Sequence, residues 1–186
     1  MKKVILLGDS IRLIGYGEPV AQMLREEGYE VFQPDENSRF CQFVLRQIFD
    51  KTDVIRGADV VHFNAGEWDI CDLFGDGPFT DEATYVATML RIVRVLKNLG
   101  VKHLIFATTT PVRPESTHNN NDVIRHYNDV IVPLLAAEGC VINDLWSIVN
   151  ADIPRFVRDD TIHLSDEAIP LCARQTAFLI RKAAEE

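Results

Sequence analysis

Short apolar runs alternate with longer amphipathic segments along the whole sequence, and this alternation limits the possible fold more than any other feature. Short runs rich in β-branched residues favour strands, and segments with apolar positions three and four residues apart favour helices. Several of the short runs are nearly all apolar, which is typical of parallel strands covered on both faces. Five runs predict strands: Lys3–Leu7, Glu30–Gln33, Val60–Asn64, His103–Thr108 and Cys140–Asp144.

The segments between these runs carry helix signals. The first helix is expected to end before Gly28, because glycine readily adopts the left-handed conformation that closes a helix. A later helix contains Pro133, which lacks a backbone donor and is expected to kink it. Four segments predict helices: Glu18–Glu27, Asp81–Leu99, Asn121–Glu138 and the stretch that follows Ser165.

Strands that alternate with helices predict an α/β fold. Right-handed crossovers place helices on both faces of the sheet, so we expect a three-layer α/β/α sandwich with a five-stranded parallel sheet and the flavodoxin-like strand order 2-1-3-4-5. The 186 residues suit one domain, 1–186, with no internal repeat or linker. The longest irregular stretches, Asp69–Thr80 and Pro111–Asn120, follow strands three and four. They are therefore expected at the carboxyl edge of the sheet, where such folds place their sites.

Composition and charge exclude several classes of partner. The formal net charge is −9, and no cluster of Lys and Arg is present, so a nucleic acid is not an expected partner. No run of about 18 apolar residues is available to span a membrane. The apolar run near the start ends at Asp9, which makes it too short for the apolar core of a secretory signal. We therefore expect a cytoplasmic protein.

The four cysteines, Cys41, Cys71, Cys140 and Cys172, are far apart in the sequence. None forms a CxxC pair or has histidines at the spacing of a zinc site. We interpret them as buried free thiols and predict no metal site.

The first candidate for chemistry is Gly8-Asp9-Ser10, at the end of the first predicted strand. This position presents the Ser10 hydroxyl at the carboxyl edge of the sheet, where a nucleophile is expected. Gly, Asp and Ser are also the residues that an ordinary strand-to-helix turn with a capping side chain requires. The motif alone therefore leaves both interpretations open.

A second candidate, Asp160-Thr161-Ile162-His163, precedes the last predicted helix. A serine hydroxyl needs a neutral imidazole to take its proton, and a carboxylate to orient that imidazole. His163 and Asp160 supply these two groups, and their loop follows the fifth strand, so it is expected at the same sheet edge as Ser10. A solvated loop that caps the final helix is the alternative interpretation of this segment.

Together the two blocks resemble the SGNH/GDSL hydrolase superfamily, which has Gly-Asp-Ser at the end of strand one and Asp-x-x-His before the final helix. The resemblance spans nearly the whole chain. It implies that Ser10 is the nucleophile, that Asp160 and His163 complete a catalytic triad, and that the backbone amide of Ser10 contributes to the oxyanion hole. It implies a carboxylic ester as substrate and no cofactor.

The middle blocks depart from the family pattern. Where the family has Gly-x-Asn-Asp after strand three, this chain has Gly66 and Asp69 but Trp68 in place of Asn. Asn64 lies two residues before Gly66 and is a candidate donor if the strand end is rearranged. Alternatively, the hole uses backbone donors and the Trp68 indole lines the pocket.

The block after strand two also lacks its usual glycine. The chain reads Pro34-Asp35-Glu36-Asn37-Ser38-Arg39 there, so Asn37 or the Ser38 amide is the candidate replacement. Arg39 would then be a cation near the site. The residues Thr108 to Thr110, Pro111 and Arg113 resemble the family's loop along the substrate cleft, which makes Thr110 a candidate for substrate binding.

The sequence thus predicts a serine esterase that cleaves a small ester, with an O-acetylated carbohydrate favoured over a long-chain lipid because no long apolar lid segment is present. One alternative is a non-catalytic carbohydrate-binding or scaffolding relative with an incomplete oxyanion hole. A second alternative is a flavodoxin-like nucleotide or flavin binder. The segment after strand one argues against it, because Ile11 to Ile14 is too apolar for a phosphate loop.

Overall fold

The computed structural model describes residues 1–186, and its five strands form one parallel sheet in the order β2-β1-β3-β4-β5. The predicted strand order and the parallel arrangement are therefore confirmed. β1 lies between β2 and β3. The strands are β1 (Lys3–Leu7), β2 (Glu30–Phe32), β3 (Val60–Phe63), β4 (His103–Ala107) and β5 (Val141–Asn143).

The strands after β1 are shorter than predicted, because polar residues at their carboxyl ends belong to the loops. Thr108, predicted as the end of β4, accepts a hydrogen bond from the Trp146 amide at 2.9 Å. Asp144, predicted as the end of β5, instead caps the next helix by accepting from the Ser147 amide at 3.0 Å. These side chains point into turns at the sheet edge and do not extend the sheet.

Helices cover both faces of the sheet. The first follows a short π-helical segment, Arg12–Tyr16, which continues directly into it. The α-helices are α1 (Gly17–Glu26), α2 (Cys41–Asp50), α3 (Thr52–Ile55), α4 (Glu82–Asn98), α5 (Asn121–Ala137), α6 (Leu145–Asn150), α7 (Ile153–Phe156) and α8 (Ala168–Glu185). None of them is both long enough and apolar enough to cross a membrane.

The helix ends follow local chemistry. The Asp81 carboxylate accepts from the Thr84 amide at 3.0 Å, which satisfies one of the free donors at the start of α4. Gly28 has φ +86° just after α1, as the sequence predicted for a helix end. α5 runs through Pro133 without a break in the helix.

Two apolar cores lie on opposite faces of the sheet, and β1 contributes to both. Its side chains alternate: Ile5 and Leu7 pack in the core under α2, α4 and α5, whereas Val4 and Leu6 pack in the core under α1 and α8. All four are fully buried. The predicted three-layer α/β/α sandwich is therefore confirmed.

Three of the four cysteines, Cys41, Cys140 and Cys172, are buried in these cores as predicted, and all four thiols are free. Cys71 is an exception, because it is only half-buried and lies in the loop between β3 and α4. The interpretation of Cys71 as a core thiol was wrong, since that loop forms part of the surface at the sheet edge.

The carboxyl ends of β3 and β4 approach each other closely at Gly66. An added Cβ there would collide with the hydroxyl of Thr109, which is buried and hydrogen-bonded to the Ala65 carbonyl. Gly66 also has φ +151°, in the region that favours glycine. A larger residue therefore cannot be accommodated without moving one of the two strand ends.

Gly66→Ala is expected to lower the free energy of unfolding by about 1–3 kcal/mol more than Gly28→Ala, because only the former adds volume to a packed site. Gly28 is a matched control, since its φ is also positive but no atom lies within 4 Å of its added Cβ. Urea denaturation followed by tryptophan fluorescence measures both losses. Equal losses would contradict the close packing at Gly66.

Candidate active site

Ser10 follows β1 in a turn that several hydrogen bonds hold. The Ser38 hydroxyl accepts from the Gly8 amide at 3.0 Å, and the Ser38 amide donates to the Gly8 carbonyl at 3.0 Å. The Asp9 carboxylate accepts from the Ile11 amide at 2.9 Å. A helical turn begins at Ser10, so the Ser10 backbone amide has no acceptor within that helix. That amide is available to an anion at the sheet edge.

The Arg12 side chain fixes this turn from the interior. It is fully buried, and its guanidinium donates to the carbonyl oxygens of Pro34 at 2.7 Å, Glu36 at 2.9 Å and Gly8 at 3.1 Å. These bonds join the end of β1 to the loop after β2. Burial lowers the pKa of Arg12, and the nearby Tyr16 and Asp9 oppose that effect.

His163 and Asp160 reach Ser10 from the loop before α8. The Ser10 Oγ lies 2.9 Å from His163 Nε2, and His163 Nδ1 lies 2.9 Å from Asp160 Oδ2. The other carboxylate oxygen of Asp160 accepts from the backbone amides of His163 at 2.9 Å and Ile162 at 3.1 Å. The structure thus brings together three predicted residues that come from opposite ends of the chain.

Several interactions determine the ionisation of Asp160. Partial burial raises its pKa, but hydrogen bonds from the backbone amides of His163 and Ile162 and from the imidazole outweigh burial, and the pKa lies below its usual value. The carboxylate therefore stays charged over the neutral pH range, as an orienting group for a histidine must.

Arg113 ties down the loop that carries His163. Its guanidinium donates to the Val157 carbonyl at 2.8 and 2.9 Å and to the Pro154 carbonyl at 3.1 Å, and its backbone amide donates to the Thr161 carbonyl at 2.9 Å. Thr161 has φ +74°, a conformation that is strained for a β-branched residue. Contacts from outside the loop therefore maintain a backbone shape that the loop would not adopt by itself.

A cavity of about 180 Å³ adjoins the Ser10 hydroxyl and the imidazole. Two larger depressions, of about 560 Å³ and 470 Å³, do not include Ser10, and Asp160 and Arg113 line the former. The small cavity is lined mainly by apolar surface. The residues that line it are Ser10, Glu67, Trp68, Cys71, Leu73, His118, Asn119, Ile162 and His163.

Trp68 is the one predicted pocket residue outside the Ser10–His163 pair that lines this cavity, and its side chain is 40% exposed. Asn64 is oriented elsewhere: its Oδ1 accepts from the Tyr16 hydroxyl at 3.1 Å, and its side chain lies against Gly8 and Asp9. This placement does not support the interpretation of Asn64 as an oxyanion donor, because its side chain packs beneath the turn that carries Ser10.

The predicted replacements after β2 also lie away from the cavity. The Asn37 Oδ1 accepts from the Arg39 amide at 2.7 Å, which closes a local turn. The Ser38 amide is already bonded to Gly8 and is not free to bind an oxyanion. Arg39 is exposed and stacks on the Phe43 ring, with 5.3 Å between its guanidinium carbon and the ring centre. Neither Asn37 nor Arg39 lines the cavity.

Thr110 and Gly66 stand behind the cavity wall. Thr110 is 1% exposed, and its hydroxyl lies 3.4 Å from Glu67 Oε1, so it supports Glu67 and does not contact the cavity. Gly66 is packed against Thr109 and directly precedes Glu67 and Trp68, which line the cavity. The interpretation of Thr110 as a substrate-binding residue is corrected by this burial.

Sequence reasoning missed four polar or reactive residues of the cavity: Glu67, Cys71, His118 and Asn119. The sequence did carry one relevant signal, because all four lie in or next to the two long irregular stretches expected at the carboxyl edge. Which side chains of those loops point inward was not visible in the sequence.

No protein-family model and no curated protein matches the sequence. Among solved structures, an acetyl xylan esterase aligns with a TM-score of 0.77 at 21% identity over 95% of this chain and 98% of its own. The acetylxylan esterase Axe2 from Geobacillus stearothermophilus aligns with a TM-score of 0.78 at 20% identity over 96% of this chain and 94% of its own.

A GDSL-like lipase from Bacteroides thetaiotaomicron aligns with a TM-score of 0.78 at 18% identity, over 98% of this chain and 89% of its own. At such identities the likeness concerns the fold. The chain has the fold of the SGNH/GDSL hydrolases, and the resemblance inferred from its two terminal blocks is confirmed at that level.

Arg113→Ala is expected to lower the free energy of unfolding by about 2 kcal/mol, because it removes charged hydrogen bonds to two carbonyl groups. Arg113→Lys should restore little, since an ammonium cannot reproduce the fork of a guanidinium. Arg125→Ala is the matched control: Arg125 is exposed and contacts only Asp122, so its loss should be less than about 1 kcal/mol. Denaturant titration measures all three, and equal effects at the two arginines would contradict the role of Arg113.

Proposed function

We propose that this chain, which has the fold of the SGNH/GDSL hydrolases, is a serine esterase with Ser10 as nucleophile, His163 as general base and Asp160 as the group that orients His163. The observation that supports this most directly is the pair of 2.9 Å contacts that links Ser10 Oγ, the two imidazole nitrogens and the Asp160 carboxylate. A hydroxyl, an imidazole and a carboxylate in this order form the arrangement that activates a serine.

The proposed reaction has two halves. Ser10 Oγ attacks the ester carbonyl while His163 Nε2 accepts its proton, and the alcohol leaves with that proton as the acyl-enzyme forms. Water then attacks the acyl-enzyme with the same imidazole as base, and Ser10 regains its proton when the acid leaves. Asp160 holds the imidazole with Nδ1 protonated, so that Nε2 is free to act as the base.

Negative charge develops on the carbonyl oxygen in both halves and requires hydrogen-bond donors. The Ser10 amide, at the start of a helical turn, is one suitable donor. The position at which the family has a donating Asn is occupied by Trp68, and Asn64 is oriented toward Asp9. The second donor of this site therefore has to come from another group.

The dimensions of the cavity favour a small ester. A volume of about 180 Å³ suits an acetyl or similar short acyl group better than a long chain. The half-exposed Trp68 indole at the cavity offers a flat surface on which a sugar ring can stack. Two of the solved structures with this fold are acetyl xylan esterases. These features support an O-acetylated carbohydrate, or another small ester, as the substrate.

A second candidate function is a carbohydrate-binding relative that does not catalyse hydrolysis. The observation that favours it is Trp68 at the position of the missing Asn, because one lost oxyanion donor costs about 3 kcal/mol of barrier. This candidate and the esterase differ in whether Ser10 reacts, so a covalent probe distinguishes them.

Ser10→Ala is expected to reduce hydrolysis of p-nitrophenyl acetate by at least about a thousandfold, because no nucleophile remains. A fluorophosphonate probe should label the wild-type protein at Ser10, as located by mass spectrometry. Ser116→Ala, a substitution in the loop after β4, is the control and should hydrolyse and label normally. Activity that persists in Ser10→Ala would contradict the assignment of Ser10 as the nucleophile. A wild-type protein that is folded but neither hydrolyses the ester nor reacts with the probe would favour the non-catalytic, carbohydrate-binding function.

Asp160→Asn is expected to lower kcat by about 10³–10⁴-fold, because an amide nitrogen facing Nδ1 favours the wrong imidazole tautomer. Asp159→Asn is the matched control: its carboxylate is fully exposed and contacts only Arg113, so kcat should change little. Steady-state kinetics on p-nitrophenyl acetate measure both variants. Similar losses of kcat in the two variants would show that kcat depends on the negative charge of the loop, and not on the contact between Asp160 and His163.

A further inference from the structure

The cavity beside Ser10 has walls from two separate loops. One wall comes from the loop after β3, within residues 67–73, and another comes from residues 118–119 of the loop after β4. The remaining lining residues are Ser10, Ile162 and His163. The position of one loop relative to the other therefore sets the width of the cavity, and a contact that fixes this position limits the size of the group that can enter.

Asn119 joins the two loops through its side-chain amide. Its Nδ2 donates to the Glu67 backbone carbonyl at 2.8 Å and to Glu67 Oε2 at 3.0 Å, which uses both of its N–H groups. Asn119 is 7% exposed and Glu67 is 5% exposed, so water does not readily replace these bonds. A buried acceptor that loses its donor is costly. The two loops are therefore held together firmly at this point.

The bond to the Glu67 carbonyl also restrains Trp68. That carbonyl and the Trp68 amide belong to one planar peptide unit, so a donor that holds the carbonyl oxygen holds the orientation of the unit. On the other side of Glu67, Gly66 is packed against Thr109. Thr110 Oγ1 lies 3.4 Å from Glu67 Oε1. Residues of the loop after β4 thus restrain the backbone and the side chain of Glu67, and with them the base of the Trp68 indole.

A second link joins the two loops further from β3. The Asp72 amide donates to the His118 carbonyl at 2.8 Å, and His118 Nδ1 lies 3.3 Å from the Asp72 carbonyl oxygen. His118 is exposed, unlike Asn119. This link keeps the loops joined when the Asn119 bonds are removed, but it does not contact Glu67 or Trp68. Removal of the Asn119 amide is therefore expected to loosen one part of the wall in a folded protein.

We propose that Asn119 is a specificity-determining positioning residue, which fixes the wall formed by Glu67 and Trp68 and so restricts the acyl group that Ser10 accepts to a short one. This inference rests on the proposed esterase function. Asn119 takes no part in the bond-forming steps. The cavity of about 180 Å³ has room for a short acyl group only while this wall stays in place, because a longer chain needs the wall to move outward.

The acyl-chain preference of kcat/KM tests this role. Wild type is expected to prefer p-nitrophenyl acetate to p-nitrophenyl butyrate, and Asn119→Ala should reduce that preference by about tenfold or more, because the loosened wall no longer excludes the longer chain. Asn119→Asp keeps the size of the side chain, but an ionised carboxylate donates no hydrogen bond to Glu67. It should therefore reduce the preference in the same direction, and it serves as a second variant of the same contact.

Asn121→Ala is the matched control. The Asn121 side chain also makes two hydrogen bonds to one residue, accepting from the Val112 amide at 2.9 Å and donating to the Val112 carbonyl at 2.8 Å. Neither Asn121 nor Val112 lines the cavity, and both lie on the chain after β4, so these bonds do not join the two walls. Asn121→Ala should lose stability in urea denaturation as Asn119→Ala does, but it should keep the wild-type acyl preference.

The wall can also be followed without substrate. The chain has two tryptophans, Trp68 and Trp146, and Trp146 does not line the cavity. Trp146→Phe therefore leaves Trp68 as the single fluorescent reporter. In that background, Asn119→Ala should raise the constant for quenching of the indole by acrylamide, because a loosened wall exposes Trp68 more often. Asn121→Ala should leave that constant unchanged.

The outcomes separate this inference from the proposed function. Equal losses of kcat/KM on both esters in Asn119→Ala would overturn the specificity role alone, as would a wild-type preference for butyrate or an equal loss of preference in Asn121→Ala. Unchanged quenching of Trp68 in Asn119→Ala, or a wild-type preference in Asn119→Asp, would also overturn it. Absence of any Ser10-dependent turnover or labelling in the wild-type protein would overturn the proposed function, and the inference with it.

Discussion

The pairing of β1 between β2 and β3 is the constraint from which the geometry of the site follows. All five strands run in the same direction, so their carboxyl ends and the loops that follow them meet at one edge. β1 is buried on both faces, and the turn after it has little freedom to move. The buried Arg12 guanidinium then bonds three carbonyl groups around that turn. Removing it would leave the buried Pro34 carbonyl without a donor, which is costly.

Different parts of the structure position Ser10 and His163. Ser10 is placed by the sheet and by the interior. His163 belongs to a surface loop whose shape depends on Asp160, on the strained Thr161 and on hydrogen bonds from Arg113, which comes from the loop after β4. A histidine that must accept and return a proton needs an accurate position relative to the serine. The loop achieves it through these polar contacts together with the burial of Val157 and Leu164, which flank it and form a β-bridge.

Negative charge near Ser10 is the main electrostatic problem of this site. Asp9 and Glu67 are both buried, and the pKa of each is raised by burial. Asp9 also accepts a hydrogen bond from the Ile11 amide and faces the positive charge of Arg12, whereas Glu67 has only neutral hydrogen-bond partners.

The sequence by itself determined the α/β class, the strand order and the three residues Ser10, Asp160 and His163 as candidates, because apolar periodicity, helix-end chemistry and block spacing are local signals. Only the tertiary structure decided that Asn64 lies beneath the turn of Ser10 and that Glu67 enters the cavity wall. Both residues follow β3 within a few positions. Which of their side chains points inward depends on packing against Tyr16 and Asn119, residues distant in sequence, and no local pattern encodes such contacts.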